Sequence, residues 1–533
     1  MPRLEISRSS SDRRFASDWL ATMATWLPGS QWMEKIATWL MVISAGGFVG
    51  LIYWIAYRRL RYPNELEWAE GGMIDMVRRV AAHQSLYTAP SKHFVPYMYT
   101  PLYYYASAAL GHFTGIHLST LRLVSLAAST GCLILIFLLV RQWTGKLLPA
   151  TFACGLFAAL DAVAHYWFDL GRVDMLYLFF ILAAILLARD GRPILAAIAF
   201  ALAFDTKQTA LVVAVCVLAH ELDRPRKLLQ GLLTFAALAG ASVWFLNHQT
   251  QGWFSYYAFR LPSHQAWMVH KLGSFLLRDL VFPLSISLVL IVAACAFKPA
   301  SFVRNPRQLL FLLFTTAGLG ISCITARLHL GGTNNVTLPL WAWICILAAL
   351  SLHSLLEATN EMESSVGAKL RLVLMTACLL QFLQLVESPS QYVPTHQQQL
   401  LAQQMNQKIA AIQGNVFVVH NVVDAGSAGK VTYANSMAIW DVLRADRGPA
   451  AQNLRTELIQ SFQQKEFSAV LADASPDLMM PVEEPYLTDI NHAATVAYPQ
   501  EQQTMPPWDQ MLFYTSPDTP GMKPNVLFLP QSH

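Results

Sequence analysis

The chain has 533 residues, of which 54% are hydrophobic and only 13% charged, against about 25% charged in an ordinary soluble protein. That composition excludes a water-soluble globular chain and places most of the sequence in a bilayer. A net charge of +4 gives no ground for a nucleic-acid partner, because the Lys and Arg residues gather between apolar runs, where membrane topology accounts for them.

The N-terminus, MPRLEISRSSSDRRFASDWL, is polar and too long ahead of the first apolar core for a secretory signal, and no small-residue cleavage site follows that core. The first span is expected to remain as an anchor. Residues 16–36, with Trp19, Trp26 and Trp32, read as an amphipathic segment at the membrane interface, so 1–36 form a cytoplasmic and interfacial N-terminal segment. Apolar runs then recur at 37–57, 119–140, 147–165, 174–188, 193–206, 208–220, 228–246, 273–296, 308–325, 336–354 and 370–386. They predict about eleven transmembrane helices in a membrane domain spanning 37–387. The two runs around Asp205 and Lys207 are short and nearly fused, which fits one broken helix as well.

Between the first two spans, within an outer loop at 58–118, lies NELEWAEGGMID. Glu65, Glu67, Glu70 and Asp75 gather there with no Lys or Arg until Arg78. Glu67 and Glu70, three apart, share a face if the stretch is helical, and neighbouring carboxylates raise each other's proton affinity, which suits a base. The competing reading is a solvated acidic loop, or ion pairs with Arg58, Arg59 and Arg61 that moor the first span. The segment TPLYYYASAALGHFTGI is short and aromatic, and predicts an interfacial helix rather than a crossing one.

A cytoplasmic N-terminus puts Arg141/Lys146, Arg189/Arg192, Arg224/Arg226/Lys227, Lys298/Arg304/Arg307 and Lys369/Arg371 inside and the acidic loop outside. Arg58, Arg59 and Arg61 disagree, since they follow the first span on its outer side. Arg172, Asp174, Lys207, Arg327 and His329 lie at or within apolar spans, where ionisable groups are costly and usually face a cavity. Their alternative is internal pairing, of Arg172 with Asp169 or Asp174 and of Lys207 with Asp205. Asn334 and Asn335 either bind a ligand or cap the span that follows, and Asp161 and His165 share a helix face, where they either line a cavity or satisfy each other.

All seven cysteines fall inside the predicted spans and read as packing residues. Residues 388–533 differ in composition and carry alternating patterns, with strands near 415–422 and 467–472 and helices near 435–446 and 453–465. They predict a small extracytoplasmic α/β domain. Its DAGSAGKVT stretch is a Gly-rich turn rather than a phosphate loop, because Asp424 stands for the first Gly and Val431 for the Ser or Thr after the Lys.

The segments AEGGMIDMVRRVAAHQSLY, YTPLYYYASAALGHFTG and LRLVSL resemble the first outer loop of the GT-C class of membrane glycosyltransferases, in the branch of the aminoarabinose, protein O-mannosyl and lipopolysaccharide-sugar transferases. Glu70 matches the second acid of that motif, Tyr87 its Tyr, Tyr99, Pro101 and Leu102 its proline element, and Arg122 the helix-heading Arg. Ala69 replaces the usual Asp and His83 the usual Gly. The stretch RLHLGGTNNVTLP is similar to a His-x-Gly-Gly-x-x-Asn-type motif of bacterial members.

The resemblance implies a polytopic α-helical membrane protein of GT-C type. It implies inverting transfer of a sugar from a polyprenyl-phosphate donor to a hydroxyl on a glycan, lipid or protein, at the outer face of a bacterial cytoplasmic membrane. Such a reaction needs a base and cations for the departing phosphate. Glu67 or Glu70, with Glu65, would supply the base. Arg172, Lys207, Arg327 and His329 would hold the phosphate, and Tyr87, Tyr99, Asp174, Asn334 and Asn335 the substrates. No cofactor is required and a divalent metal is not indicated, since Arg and Lys can do that work. The alternatives are a transporter or lipid flippase, for which only the broken helix speaks, and a non-catalytic scaffold, hinted at by Ala69.

Overall fold

In hydrocarbon a backbone must satisfy its own hydrogen bonds, so each apolar run closes on itself as a helix. The computed structural model describes residues 31–297, 305–419, 425–472, 487–502 and 526–530. Residues 16–30 of the expected interfacial segment, and Asp424, lie outside that set. Trp32 belongs to the first helix, where it is exposed.

Among the described residues, seven helices are long and apolar enough to cross a membrane, by length and composition. They are α1 (Gln31–Leu60), α4 (Leu118–Thr144), α9 (Pro225–Gln249), the helix ending in α10 (Phe282–Phe297), α11 (Pro306–Leu328), α12 (Leu338–Asn360) and α13 (Ser364–Gln384). Four predicted spans are helical but shorter: α5 (Leu147–Val163), α6 (Asp174–Arg189), α7 (Pro193–Thr206) and α8 (Ala210–Leu218). The eleven expected spans are thus seven helices of crossing length and four shorter ones. Burial explains the difference: α5 and α6 are covered by neighbouring helices along most of their length and need not match the lipid. The helix α7 stops at Lys207, whose backbone is extended (φ −154, ψ 121), and α8 resumes at Ala210. The central helix is α12, nine-tenths of whose apolar stretch is buried.

Two short helices occupy the first outer loop, α2 (Glu70–Ala81) and α3 (Leu102–Thr114). At 13 residues, α3 rises only about 20 Å, too little to cross. Helical turns at 253–264 join this loop layer.

The tail begins with α14 (His396–Ala411), a Gln-rich helix that the sequence reading did not anticipate. It starts on a reciprocal cap, with Thr395 accepting from the Gln398 N–H and the Gln398 side chain accepting from the Thr395 N–H. A four-stranded sheet follows in the order β1-β2-β4-β3, with β1 (Val416–Val418), β2 (Ala469–Ala472), β3 (Gln500–Gln502) and β4 (Val526–Leu529). β1 and β2 are parallel, and β4 is antiparallel to both β2 and β3. The helices α15 (Ser436–Ala445), α16 (Pro449–Gln463) and α17 (Thr488–Ala497) complete it. The expected small α/β unit is present.

The tail shares one apolar core with the loop layer, in which Met73, Tyr87 and Tyr257 join Phe417, Leu458 and Phe462. Polar contacts reinforce it: Lys92 with Glu466, Tyr256 with Asp446 at 2.7 Å, and Asn435 Nδ2 donating to the Trp68 carbonyl at 3.3 Å. A lid of protein therefore covers the membrane half at the end where the acidic loop lies.

Candidate active site

The acidic loop turns back over the helix ends, and its carboxylates part company. Glu67 lies before the first turn of α2, so the two acids do not project from one helix face. Glu70, the first residue of α2, sits at a helix N-terminus where negative charge is favoured. Its carboxylate accepts from Arg122 Nε at 3.1 Å and Nη2 at 2.7 Å, and from the backbone N–H groups of Leu66 and Gly171, each at 2.8 Å. Burial opposes its charge, yet Arg122 and these donors hold the carboxyl below its ordinary range. A group so saturated fixes structure.

Gly171 allows the approach, because a Cβ there would press on Leu121 and on the Glu70 carboxylate. Through that contact Glu70 sets the loop that carries Arg172.

Glu67 takes the other direction. Its Oε2 accepts from Arg172 Nη1 at 2.7 Å and from the Ala69 N–H at 3.1 Å. Burial pushes its carboxyl above the ordinary range, and Arg172 pulls it partly back. Arg172 Nη2 donates to the Tyr99 hydroxyl at 3.1 Å. Beyond Tyr99, Lys207 Nζ meets Asp174 Oδ1 at 2.7 Å, while Trp167 Nε1 donates to Asp174 Oδ2 at 3.0 Å. The Tyr99 ring faces Lys207, with 5.7 Å from Nζ to its centre, and Trp167 lies beside the Arg172 guanidinium at 5.3 Å. Asn335 also reaches Asp174. The break between α7 and α8 is what brings Lys207 into this cluster.

Arg172 and Lys207 thus pair with Glu67 and Asp174, not with Asp169 and Asp205. Asp169 holds Arg59 at 2.9 Å, and Asp205 accepts from Ser242. Both Arg59 and Asp169 are buried, and Arg58 donates to the Pro394 carbonyl at 3.2 Å. Two of the three arginines that contradicted the expected topology are therefore engaged by protein, and do not report on a lipid surface.

The other expected site residues have further partners of their own. Arg327 pairs with Asp279 at 2.8 Å, inside a π-helical turn at Phe275–Val281, and Cys323 lies within electrostatic reach of this pair and of Lys207. His329 packs against Trp267, with 4.1 Å between ring centres and 49° between ring planes. Tyr87 is buried and donates to the Tyr99 carbonyl at 2.8 Å, so it positions Tyr99 from behind. Glu65 is fully buried near Tyr97. Asn334 donates to the Val163 carbonyl and Asn335 accepts from Thr333, and neither caps α12. His165 bonds Tyr392, and Asp161 accepts from the Phe168 N–H, so the two do not satisfy each other.

Sequence reasoning missed Trp167 and Tyr97. Tyr97 is buried within electrostatic reach of Glu67 and Arg172, and its hydroxyl has no hydrogen-bond partner among the described residues. It fits because Gly72 offers no Cβ against its ring. No pattern separates these two rings from the other loop aromatics. Among the described residues no group of three His, Cys, Asp or Glu side chains is placed to hold a metal ion.

Residues 97–325, from Tyr97 to Thr325, match the model of glycosyltransferase family 87. A structure of ArnT from Cupriavidus metallidurans bound to undecaprenyl phosphate matches with a TM-score of 0.52 at 12% identity, over 79% of this chain and 92% of that one. The fold is GT-C. The family match and the GT-C fold together support a membrane glycosyltransferase. The same ArnT in its apo state matches with a TM-score of 0.49 at 13% identity, over 73% of this chain and 84% of that one. The Archaeoglobus fulgidus oligosaccharyltransferase, in complex with zinc and sulfate, gives 0.47 at 13% identity, over 81% and 67%. No curated protein matches the sequence.

Two departures from the GT-C loop motif now have physical accounts. His83 adopts φ +54, the left-handed conformation that a glycine takes without strain. Ala69 carries no carboxylate, and its N–H instead donates to that of Glu67 at 3.1 Å.

Proposed function

We propose that this protein transfers a sugar from a polyprenyl-phosphate donor to an acceptor hydroxyl with inversion, with Glu67 as the general base. The observation that carries the reading is the Glu67–Arg172 pair: a carboxyl raised by burial, held by a cation that also faces Tyr99 and the Lys207–Asp174 pair. The acceptor oxygen attacks C1 of the sugar from the face opposite the phosphate, and its proton passes to Glu67. The bond from C1 to the phosphate oxygen breaks, and its electron pair leaves with the polyprenyl phosphate.

Arg172 is suited to join the two halves. While Nη1 holds Glu67, its buried Nε has no acceptor among the described residues, leaving a donor for a phosphate oxygen. Lys207 adds the second positive charge, and Tyr99 spaces the two. The ArnT structure with undecaprenyl phosphate, whose fold this chain shares, supports a lipid-phosphate donor. The setting is a bacterial cytoplasmic membrane, with the tail unit at 388–533 on the outer side above the site. The acceptor is a glycan, lipid or protein hydroxyl.

The test is an assay of the purified protein with a radiolabelled polyprenyl-phosphate sugar, following release of the lipid phosphate. Wild type is expected to release it when acceptor is present, and Glu67→Gln to release it at least about a hundredfold more slowly per mole of folded protein. Turnover by Glu67→Gln at the wild-type rate would reject the assignment.

A further inference from the structure

At the opposite end of the bundle lies a polar cavity of about 440 Å³. The helix α6 connects the two places, with Asp174 at its first residue in the active site and Arg189 at its last on the cavity wall. The 15 helical steps between them put them about 22 Å apart. The cavity opens between the helix ends that carry the basic inter-span segments, and Arg189, Arg224, Lys227 and Arg307 line it.

These cations keep free capacity. Lys227 donates to the Gly191 carbonyl at 2.8 Å, which leaves two ammonium protons. Arg189 donates one bond, to Gln142 at 2.9 Å, and has Asp190 at 3.7 Å. Arg224 donates no side-chain hydrogen bond among the described residues, and has Glu221 at 3.9 Å. Only Arg307 is closely paired, with Asp223. Beneath them sits Glu221, 2% exposed, with a buried Oε2 that no donor satisfies. A buried acceptor left unmet costs free energy unless a ligand supplies the donor. Trp143 and Phe311, 6.0 Å apart, form an apolar wall.

We propose that this cavity binds the headgroup of an anionic glycerophospholipid bearing free hydroxyls, of the phosphatidylglycerol type. The phosphodiester meets Arg224, Lys227 and Arg189. A glycerol hydroxyl donates to Glu221, and the acyl-bearing glycerol leaves past Trp143 into the lipid. A headgroup ammonium could also donate to Glu221, but the lining cations Arg189, Arg224, Lys227 and Arg307 outnumber its carboxylates, Asp190 and Glu221, and disfavour it. Basic pockets between helix ends at a membrane surface are suited to such headgroups.

The experiment measures lipid binding to the intact, delipidated protein by native mass spectrometry. The probes are phosphatidylglycerol, phosphatidylmethanol (the same phosphodiester without hydroxyls), phosphatidylcholine and inorganic phosphate. Phosphatidylglycerol is expected to bind tightest. The Arg224→Ala/Lys227→Ala variant, and Lys227→Gln should the double variant fold poorly, is expected to weaken it by about tenfold. Arg226→Ala, outside the cavity lining, is expected to leave it unchanged. Glu221→Met is expected to keep phosphatidylmethanol binding and erase the preference for phosphatidylglycerol. Equal binding of phosphatidylcholine, unchanged affinity in both cation variants, or inorganic phosphate binding as tightly as the lipid would overturn the proposal.

Discussion

Glu67 and Arg172, 105 residues apart in the chain, form a buried ion pair at 2.7 Å with both side chains at most 4% exposed. Three residues on, Glu70 forms its own buried pair with Arg122. The two acids look alike in sequence, yet one is poised and the other saturated, and their substitutions should fail in different ways.

Glu67→Gln is expected to lower kcat of the folded protein by about 10²- to 10⁴-fold, the range for loss of a positioned general base, and also to lower the thermal midpoint, because Arg172 is left buried without its closest countercharge. Glu70→Gln leaves Arg122 buried without its countercharge and is expected to cost about 3–5 kcal/mol of stability. Its main readouts are a lowered thermal midpoint and poor yield. If Glu70→Gln folded normally and lost only turnover, the roles of the two acids would have to be exchanged.

The pH profile tests the electrostatics. Glu67 must be ionised to accept a proton, and burial raises its carboxyl, so activity should fall on the acid side at a higher pH than an ordinary glutamate would give. Arg172 lowers the Glu67 pKa against that burial. Arg172→Met therefore moves the acid limb of kcat/KM to still higher pH, on top of any loss in rate. A limb that moved to lower pH would contradict the pairing.

Lys207 is expected to act on donor affinity. Lys207→Gln should weaken polyprenyl-phosphate binding by about 10- to 100-fold, the scale of one hydrogen bond to a charged group. Because this strands Asp174, the double variant Asp174→Asn/Lys207→Gln is the control. It should recover thermal stability without recovering donor affinity, as measured by titration with polyprenyl phosphate. Recovery of both would assign Lys207 a purely structural role.

Arg59 tests the topology. Arg59→Met leaves Asp169 buried and unpaired and is expected to cost about 3–5 kcal/mol. The half-exposed Arg58, changed to Ala, should cost less than about 1 kcal/mol. Cysteine-accessibility labelling of the loop at 58–118 should give the same orientation in both variants. Inversion of the first span on removing Arg58 and Arg59 together would show that they set topology after all.

The apolar runs were legible because a helix in lipid is a local decision: about 20 apolar residues suffice to define it, whatever lies elsewhere in the chain. All eleven predicted runs are helical, and the strands near 415 and 467 and the helices near 435 and 453 appear within a few residues of their expected places. Four of the eleven, α5 to α8, are shorter than the rest, a difference invisible in the sequence because hydropathy reads apolar burial and lipid exposure alike. The Gln-rich α14 was missed for the opposite reason, having only a sparse apolar stripe of Ala402, Met405 and Ile409.

The pairings had no local signature. Lys207 stands two residues from Asp205 in sequence and bonds Asp174, 33 residues away. Glu67 passes over three arginines at 58–61 to reach Arg172. The sequence by itself determined that the protein is a helical membrane chain, with acids in its first loop and cations at its helix ends. Which acid met which cation was decided only by the packing of α4, α6 and α7 against that loop. A buried charge must take the partner that the surrounding helices place within reach, and distance along the chain does not enter that choice.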